Sequence, residues 1–272
     1  MNSGTDTDRA LKKVTVEKGG DSVEDLLVVE EPLEIRLEGR PLAVLMRTPG
    51  ASADEDLNLV VGFLATEGVV DGPDDIAGIS HCIDPNRPNG QNIVQVRLSS
   101  GIRTDPDRFE RAQREMYSAS SCGLCGKASI ERVFVNAPPL VSRVELDEEL
   151  VTTLPAALRS VQTRFALTGG LHGAALFTRQ GSRIFSAEDV GRHNAVDKVI
   201  GWSVRTDRFP LNDHILVVSS RAGFEIVQKA LVARIAAIVA VGAASSLAHE
   251  LAIEGNMALY TFVRNGQFNR HT

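Results

Sequence analysis

From Lys127 to the end of the chain, short apolar runs alternate with helical patterns, and that alternation constrains the fold more than any other feature. Residues 174–177 and 184–186 read as strands, 194–202 as a helix, and 214–219 as a buried strand. Residues 224–234 are helical, 235–241 a strand, 247–254 a helix stopped by Gly255, and 257–263 a strand. Each run has an apolar face to bury, so the expected product is an α/β domain in which helices cover a sheet. Strands joined by helices are expected to be parallel, with right-handed crossovers.

The preceding part has another rhythm. Leu33, Ile35 and Leu37 alternate with polar residues, Gly39-Arg40-Pro41 turns the chain, and residues 42–46 return, a hairpin pattern. Asp54 is positioned to cap a helix carrying Leu57, Val60, Val61 and Leu64, with Gly68 to stop it. Ile93, Val96 and Leu98 suggest a further strand, and residues 107–117 a solvent-facing helix. The division is therefore a flexible lead-in over 1–25, in which Val14 and Val16 could start a strand, a small β-rich domain over 26–116, and the α/β domain over 117–272.

Between the two rhythms lies Ser120-Ser121-Cys122-Gly123-Leu124-Cys125-Gly126-Lys127. A thiol attacks as its thiolate, and a helix start with a lysine beside it lowers a cysteine pKa. Three chemistries fit a single Cys-x-x-Cys: half of a metal site, a dithiol redox pair, or a sulfur carrier holding a persulfide. Three cysteines in the whole chain exclude a disulfide framework. With no secretory-type N-terminus and no apolar run of about 18 residues, the expectation is a cytoplasmic protein that is not in the membrane. A net charge of −6 argues against broad nucleic-acid binding but permits a focused basic pocket for an anion.

Three further loops fall at expected strand or helix ends. They are Thr168-Gly169-Gly170-Leu171-His172-Gly173, Glu188-Asp189-Val190-Gly191-Arg192-His193-Asn194, and Ser219-Ser220-Arg221-Ala222-Gly223. The third, between a strand and a helix, offers backbone N–H groups, two hydroxyls and a guanidinium to phosphate. Ligands of open α/β sheets sit outside the carboxyl ends of the strands, where this loop is expected. Neither a dinucleotide nor a P-loop fingerprint is present.

Together, Ser121 to Gly126, Gly169 to His172, the run Glu188 to Lys198, and Ser219-Ser220-Arg221 resemble the formate dehydrogenase accessory sulfurtransferases, the FdhD family. The likeness runs from about Val29 to the C-terminus, with the motifs in the family's order. It implies a sulfur courier that accepts a persulfide from a cysteine desulfurase and passes it to the metal of the bis-molybdopterin guanine dinucleotide cofactor of formate dehydrogenase. It implies a cytidine deaminase-like larger domain and a homodimer. By position, Cys122 matches the persulfide-bearing cysteine and Cys125 its companion. Phe262, Val263, Arg264, Asn265, Gly266 and Gln267 match the region of cofactor contact, although Asn265-Gly266-Gln267 departs from the usual Gly-Glu-Arg-like form. To these the loops add Gly170, His172, Arg192, His193, Ser219, Ser220, Arg221 and Gly223 as cofactor-binding candidates.

Two rival readings stay in view: a non-catalytic chaperone for the same cofactor, and a zinc-dependent, deaminase-like hydrolase. The second needs His-x-Glu or Cys-x-Glu followed by Pro-Cys-x-x-Cys. Ser121 precedes Cys122 here, and neither Cys82 nor His81 is followed two residues later by glutamate. No metal of its own is therefore expected. Cys82 and Trp202 read as core, Asp189 as a helix cap, and Asp197 with Lys198 as a surface pair.

Overall fold

A computed structural model describes residues 8–50, 52–82, 90–103 and 137–271. The dicysteine loop with Cys122, Cys125 and Lys127, the expected helix at 107–117 and the expected domain boundary at 116–117 lie outside the described residues. The α/β class holds.

Strands β1 (Leu11–Lys18) and β2 (Asp21–Val28) form an antiparallel hairpin closed by Gly19 and Gly20, both at positive φ. An ordered hairpin thus stands where a lead-in is expected; its period-2 apolar signal is thin because no residue of either strand is buried. A four-stranded sheet follows, in the order β4-β3-β6-β5. Its strands are β3 (Glu31–Leu37), β4 (Arg40–Arg47), β5 (Ile76–His81) and β6 (Ile93–Leu98). Glu38 and Gly39, at φ of 50° and 79°, make the two-residue turn between β3 and β4, so Arg40 and Pro41 already belong to the edge strand β4. Helix α1 (Ala53–Thr66) lies on this sheet, with Leu59, Val60, Leu64, Leu33, Ile35 and Val96 in one core.

The larger part is a six-stranded mixed sheet in the order β12-β11-β10-β9-β7-β8. Its strands are β7 (His172–Thr178), β8 (Arg183–Asp189), β9 (His214–Val218), β10 (Ala237–Ala240), β11 (Ala258–Arg264) and β12 (Gln267–His271). The central β9, β10 and β11 are parallel, as expected for strands joined by helices, whereas β7, β8 and β12 pair antiparallel. Helices α4 (Arg192–Arg205), α5 (Phe224–Val232) and α6 (Ser246–Glu254) cover one face. The other face packs against α2 (Glu148–Arg159), with the short α3 (Thr163–Thr168) following at its end. The sequence reading leaves α2 unassigned. Yet Asp147 caps it, accepting from the N–H groups of Glu149 and Leu150, and Val151, Leu154 and Leu158 recur at helical spacing; Pro155 inside it masks the pattern.

Helices α1 and α4 join the two parts. Their crossing is set by two glycines: a Cβ at Gly62 would stand 1.8 Å from the Asp197 carbonyl oxygen, and one at Gly201 1.8 Å from that of Asn58. Only glycine allows this approach.

Candidate functional site

Because β7 runs against β9, and β8 folds back antiparallel on β7, the start of β7 and the end of β8 meet the carboxyl ends of β9, β10 and β11 at one rim. His172 pairs with Asp189 across β7 and β8, Gly173 donates from its N–H to Ser219 Oγ at 2.9 Å, and the Ser219 N–H donates to the Gly173 carbonyl at 2.9 Å. Phe262 N–H donates to the Gly242 carbonyl, and a Cβ on Gly242 would meet the Arg221 backbone at 2.9 Å. The three glycine-bearing loops and the Phe262–Gln267 segment, spread along the sequence from 168 to 267, therefore share one end of the sheet.

A cavity of about 590 Å³ opens there, between α2 with α3 and the strand ends. It brings together Gly170, His172, Ser219, Val263, Arg264 and Asn265 of the expected cofactor-binding residues. Its walls are mostly apolar, from Pro155, Leu158, Phe165, Leu171 and Val241. Val263 is fully buried and forms floor rather than contact, because its side chain packs with Tyr260 and Ala258 in the core. Phe262, Gly266 and Gln267 face away, into an open groove of about 860 Å³ bounded also by Glu148 and Arg270, which Arg264 and Asn265 also touch. A bulge between Thr261 and Arg264, with Phe262 at φ 51°, turns Phe262 outward. Asn265 and Gly266, at φ 52° and 72°, form the two-residue turn joining β11 to β12. The departure from the Gly-Glu-Arg-like form is thus turn chemistry, since both positions need left-handed backbone.

Ser220, Arg221, Gly223, Arg192 and His193 do not line this cavity; they flank the same rim at the starts of α4 and α5. Ser220 is buried, its Oγ donating to the Arg221 carbonyl at 3.0 Å. His193 Nε2 lies 3.2 Å from Glu225 Oε2 and 3.4 Å from Arg192 Nε. Burial first, then Lys229, Arg192 and His172, lowers its pKa to about 3, overriding the nearby carboxylate. The neutral ring can donate to Glu225 or accept from Arg192, according to tautomer. Burial and then Arg192 also hold His172 below the usual range. None of Arg159, Arg192, Arg221 and Arg264 has a carboxylate partner among the described residues. Four guanidiniums around one rim leave positive charge for an anion, in a chain of net negative charge.

The long run Glu188 to Lys198 has a different role from the one its length suggests. Asp189, fully buried, accepts from Gly191 N–H and Asn194 Nδ2 at 2.9 Å each and from Thr48 N–H at 3.2 Å, and pairs with Lys198 Nζ at 2.7 Å. Lys198 Nζ also donates to the carbonyls of Thr48 and Glu188, and Asn194 Nδ2 to that of Met46. Glu188 accepts from the N–H groups of Arg164 and Phe165, capping α3. Asp197 pairs with Lys229 at 2.9 Å and accepts from Thr66 Oγ1. Burial opposes the Lys229 charge, but Asp197, Glu67 and Glu225 outweigh it and raise the amine pKa. Asp197 and Lys198 are therefore buried anchors rather than a surface pair. Trp202 is part-buried, stacked on Phe185 at 4.6 Å in a second cleft bounded by α1, α4, β8 and the α2–α3 connection.

Sequence reasoning missed Arg159, Gln162 and Phe165, which line the cavity from α2 and α3. The only signal for them was the unassigned helical spacing across Pro155.

The model of the FdhD/NarQ family matches residues 28–272. The chain is 45% identical over 254 residues to a "Sulfur carrier protein FdhD" from Streptomyces avermitilis, covering 90% of this chain and 86% of that one. It is 42% identical over 266 residues to one from Anaeromyxobacter dehalogenans, covering 96% and 91%. A relative of that name from Mycobacterium tuberculosis is 44% identical over 255 residues, covering 91% and 90%. A crystal structure of a proposed formate dehydrogenase accessory protein from Desulfotalea psychrophila superposes with a TM-score of 0.69 at 21% identity, covering 96% of both chains, a likeness of fold.

Proposed function

Since this chain belongs to the FdhD/NarQ family, we propose that it is a sulfur carrier for formate dehydrogenase, with Cys122 as the atom-bearing group and the strand-end rim as the seat of the cofactor being sulfurated. The observation that carries the cofactor half is the convergence of Gly170, His172, Ser219, Arg264 and Asn265 on one cavity, ringed by arginines that have no carboxylate partner among the described residues. A dinucleotide carries several phosphates, and backbone donors with guanidiniums are what bind them. The sulfur half rests on the name its relatives bear and on the Ser-Ser-Cys-Gly setting of Cys122.

In this reading the Cys122 thiolate attacks the outer sulfur of a cysteine desulfurase persulfide. The sulfur–sulfur bond breaks, the desulfurase thiolate leaves, and Cys122 carries the persulfide. Cys125 then resolves it: its thiolate attacks the inner sulfur, hydrosulfide leaves for the metal of the bis-molybdopterin guanine dinucleotide, and a disulfide remains for a cellular thiol to reduce. The cofactor is substrate here, not a resident group. The reading also takes a deaminase-like larger domain and a homodimer working in the cytoplasm. Among the described residues, no helix is long and apolar enough to cross a membrane.

Intact-protein mass spectrometry after incubation with a cysteine desulfurase and cysteine tests it. The expected gain is one sulfur, about 32 mass units, absent from Cys122→Ala. A Cys122→Ala protein that loads fully, or a wild type that never loads beside a persulfidated desulfurase, overturns the proposal.

A further inference from the structure

The two histidines nearest the C-terminus meet although 22 residues separate them. His249 stands in α6 and His271 ends β12, and their Nδ1 atoms lie 3.0 Å apart. The ring centroids are 5.2 Å apart, close to that contact plus the two ring radii, so the two Nδ1 atoms point almost along one line at each other. Opposed imidazole nitrogens share a proton, whereas ligands of one metal ion converge on a point beside them. On its other side His271 Nε2 meets Thr261 Oγ1 at 2.8 Å, and Thr261 is 1% exposed. A chain of hydrogen bonds thus runs from the sheet, through His271, to the helix.

This contact ties down a strand that few others hold. β12 is an edge of the six-stranded sheet and buries no residue fully. On the α2 face, Phe268 sits edge-on to Tyr260 at 5.6 Å, and Arg270 reaches Glu145 and Glu148 at 3.7 and 3.5 Å, exposed pairs that contribute little. On the α6 face the contact is that of His271. Among the described residues no carboxylate pairs with either ring. Glu250 and Glu254 of α6 are exposed, Arg270 is turned to the opposite face, and Arg264 of β11 lies against Phe262. On α5, Glu225 and Lys229 face His193 and Asp197. Burial, and then His249, hold the His271 pKa below the usual range.

The neutral pair has one proton between the facing Nδ1 atoms. A first added proton goes to an outer nitrogen, His271 Nε2 or His249 Nε2, and leaves the shared bond in place and charge-assisted. A second has only a facing Nδ1 to take, which sets N–H against N–H between two cations 3.0 Å apart. We propose that His249 and His271 form a proton-operated latch that ties the C-terminal strand to α6, closed while the facing nitrogens share one proton and opened when each carries its own. Opening frees β12, whose turn with β11 places Asn265 beside Arg264 in the wall of the strand-end cavity, so acid loosens that wall. The latch needs nothing from the sulfur-carrier reading, and either stands if the other falls. The open form binds one proton more than the closed form, so opening becomes easier as pH falls, by at most about tenfold per pH unit.

Hydrogen exchange of the β12 amides in the full chain, corrected for intrinsic rate and referenced to the β9 amides, tests it between pH 7.5 and 5, alongside NMR titration of the imidazoles. Wild-type protection of β12 relative to β9 is expected to hold near pH 7.5 and to fall below about pH 6.5, approaching tenfold per unit. In His249→Gln the carboxamide can still donate to His271 Nδ1 but cannot take a proton. That variant is expected to match wild type at pH 7.5, to lose the slope, and to let His271 titrate nearer the ordinary imidazole value of about 6.5. Arg270→Gln, which removes the exposed ion pairs instead, is expected to keep the slope. Wild-type protection of β12 that follows β9 over the whole range overturns the latch. So does a slope that persists in His249→Gln, or one that disappears in Arg270→Gln. Should His249→Gln not fold, the wild-type and Arg270→Gln arms still decide.

Discussion

Lys198 and Asp197 are neighbours in the chain whose side chains serve opposite sides of α4. Lys198 reaches Asp189 and the carbonyls that end β4 and β8, and Asp197 reaches Lys229 on α5. Both pairs are buried, so removing one partner strands the other's charge. Lys198→Met is expected to destabilise the protein by about 3 kcal/mol in urea unfolding, at the lower end for a broken buried pair because Asp189 keeps three N–H donors. A loss within the range of a surface substitution would show that the carboxylate is not held as an ion. Sequence spacing placed Arg192 and His193 at a ligand-facing loop, but it could not separate them from Asp189, Asn194 and Lys198. Polar residues in one run look alike until burial distinguishes those that hold the chain from those that face outward.

Among the elements, the crossing of α1 and α4 carries the join between the two sheets. Gly201→Ala drives a Cβ into the Asn58 carbonyl, a backbone atom that cannot swing away, so the helices must separate and open the core around Leu59, Val60 and Val204. The expected cost is about 3 kcal/mol or more, at the upper end of overpacking, read as a fall in the urea midpoint. An unchanged midpoint would mean that the two helices tolerate a wider spacing. Gly201 inside a helix is unfavourable by propensity alone, and its reason appears only once α1 lies across it. Elements with a clean period were legible: β3, α1, β6, and the succession from β7 to β11. Those that broke a local rule were not: α2 contains Pro155, β5 has Gly78 in its middle, and β1, β2 and β12 bury no residue fully.

For the molecule as a whole, four histidines set a direction in pH. His172, His193, His214 and His271 all have pKa values lowered first by burial. The unfolded chain then binds more protons than the folded one below pH about 6.5, so stability is full above that pH and declines as pH falls through it toward the folded values. For His193 the decline continues to about pH 3. Urea midpoints are expected to hold near pH 7.5 and to fall as pH drops from about 6.5 to 5, with His193→Gln flattening part of that slope. Midpoints constant over this range would show that the imidazoles are charged in the folded state.

The sequence by itself determined the class and the order of the parts. Alternating periods of two and of about three and a half residues force strands and helices to bury matching faces, and Cys122, Arg192, Ser219 and Arg264 stand out by residue type. Tertiary structure decided which of them meet. The antiparallel run of β7 beside parallel β9, β10 and β11 brings His172, Ser219 and Arg264 to one rim, and α2 with α3 supplies Arg159, Gln162 and Phe165 from outside every motif. Periodicity is a local property of the chain, whereas a cavity wall is made of residues far apart in it, so neither composition nor spacing could have named Gln162.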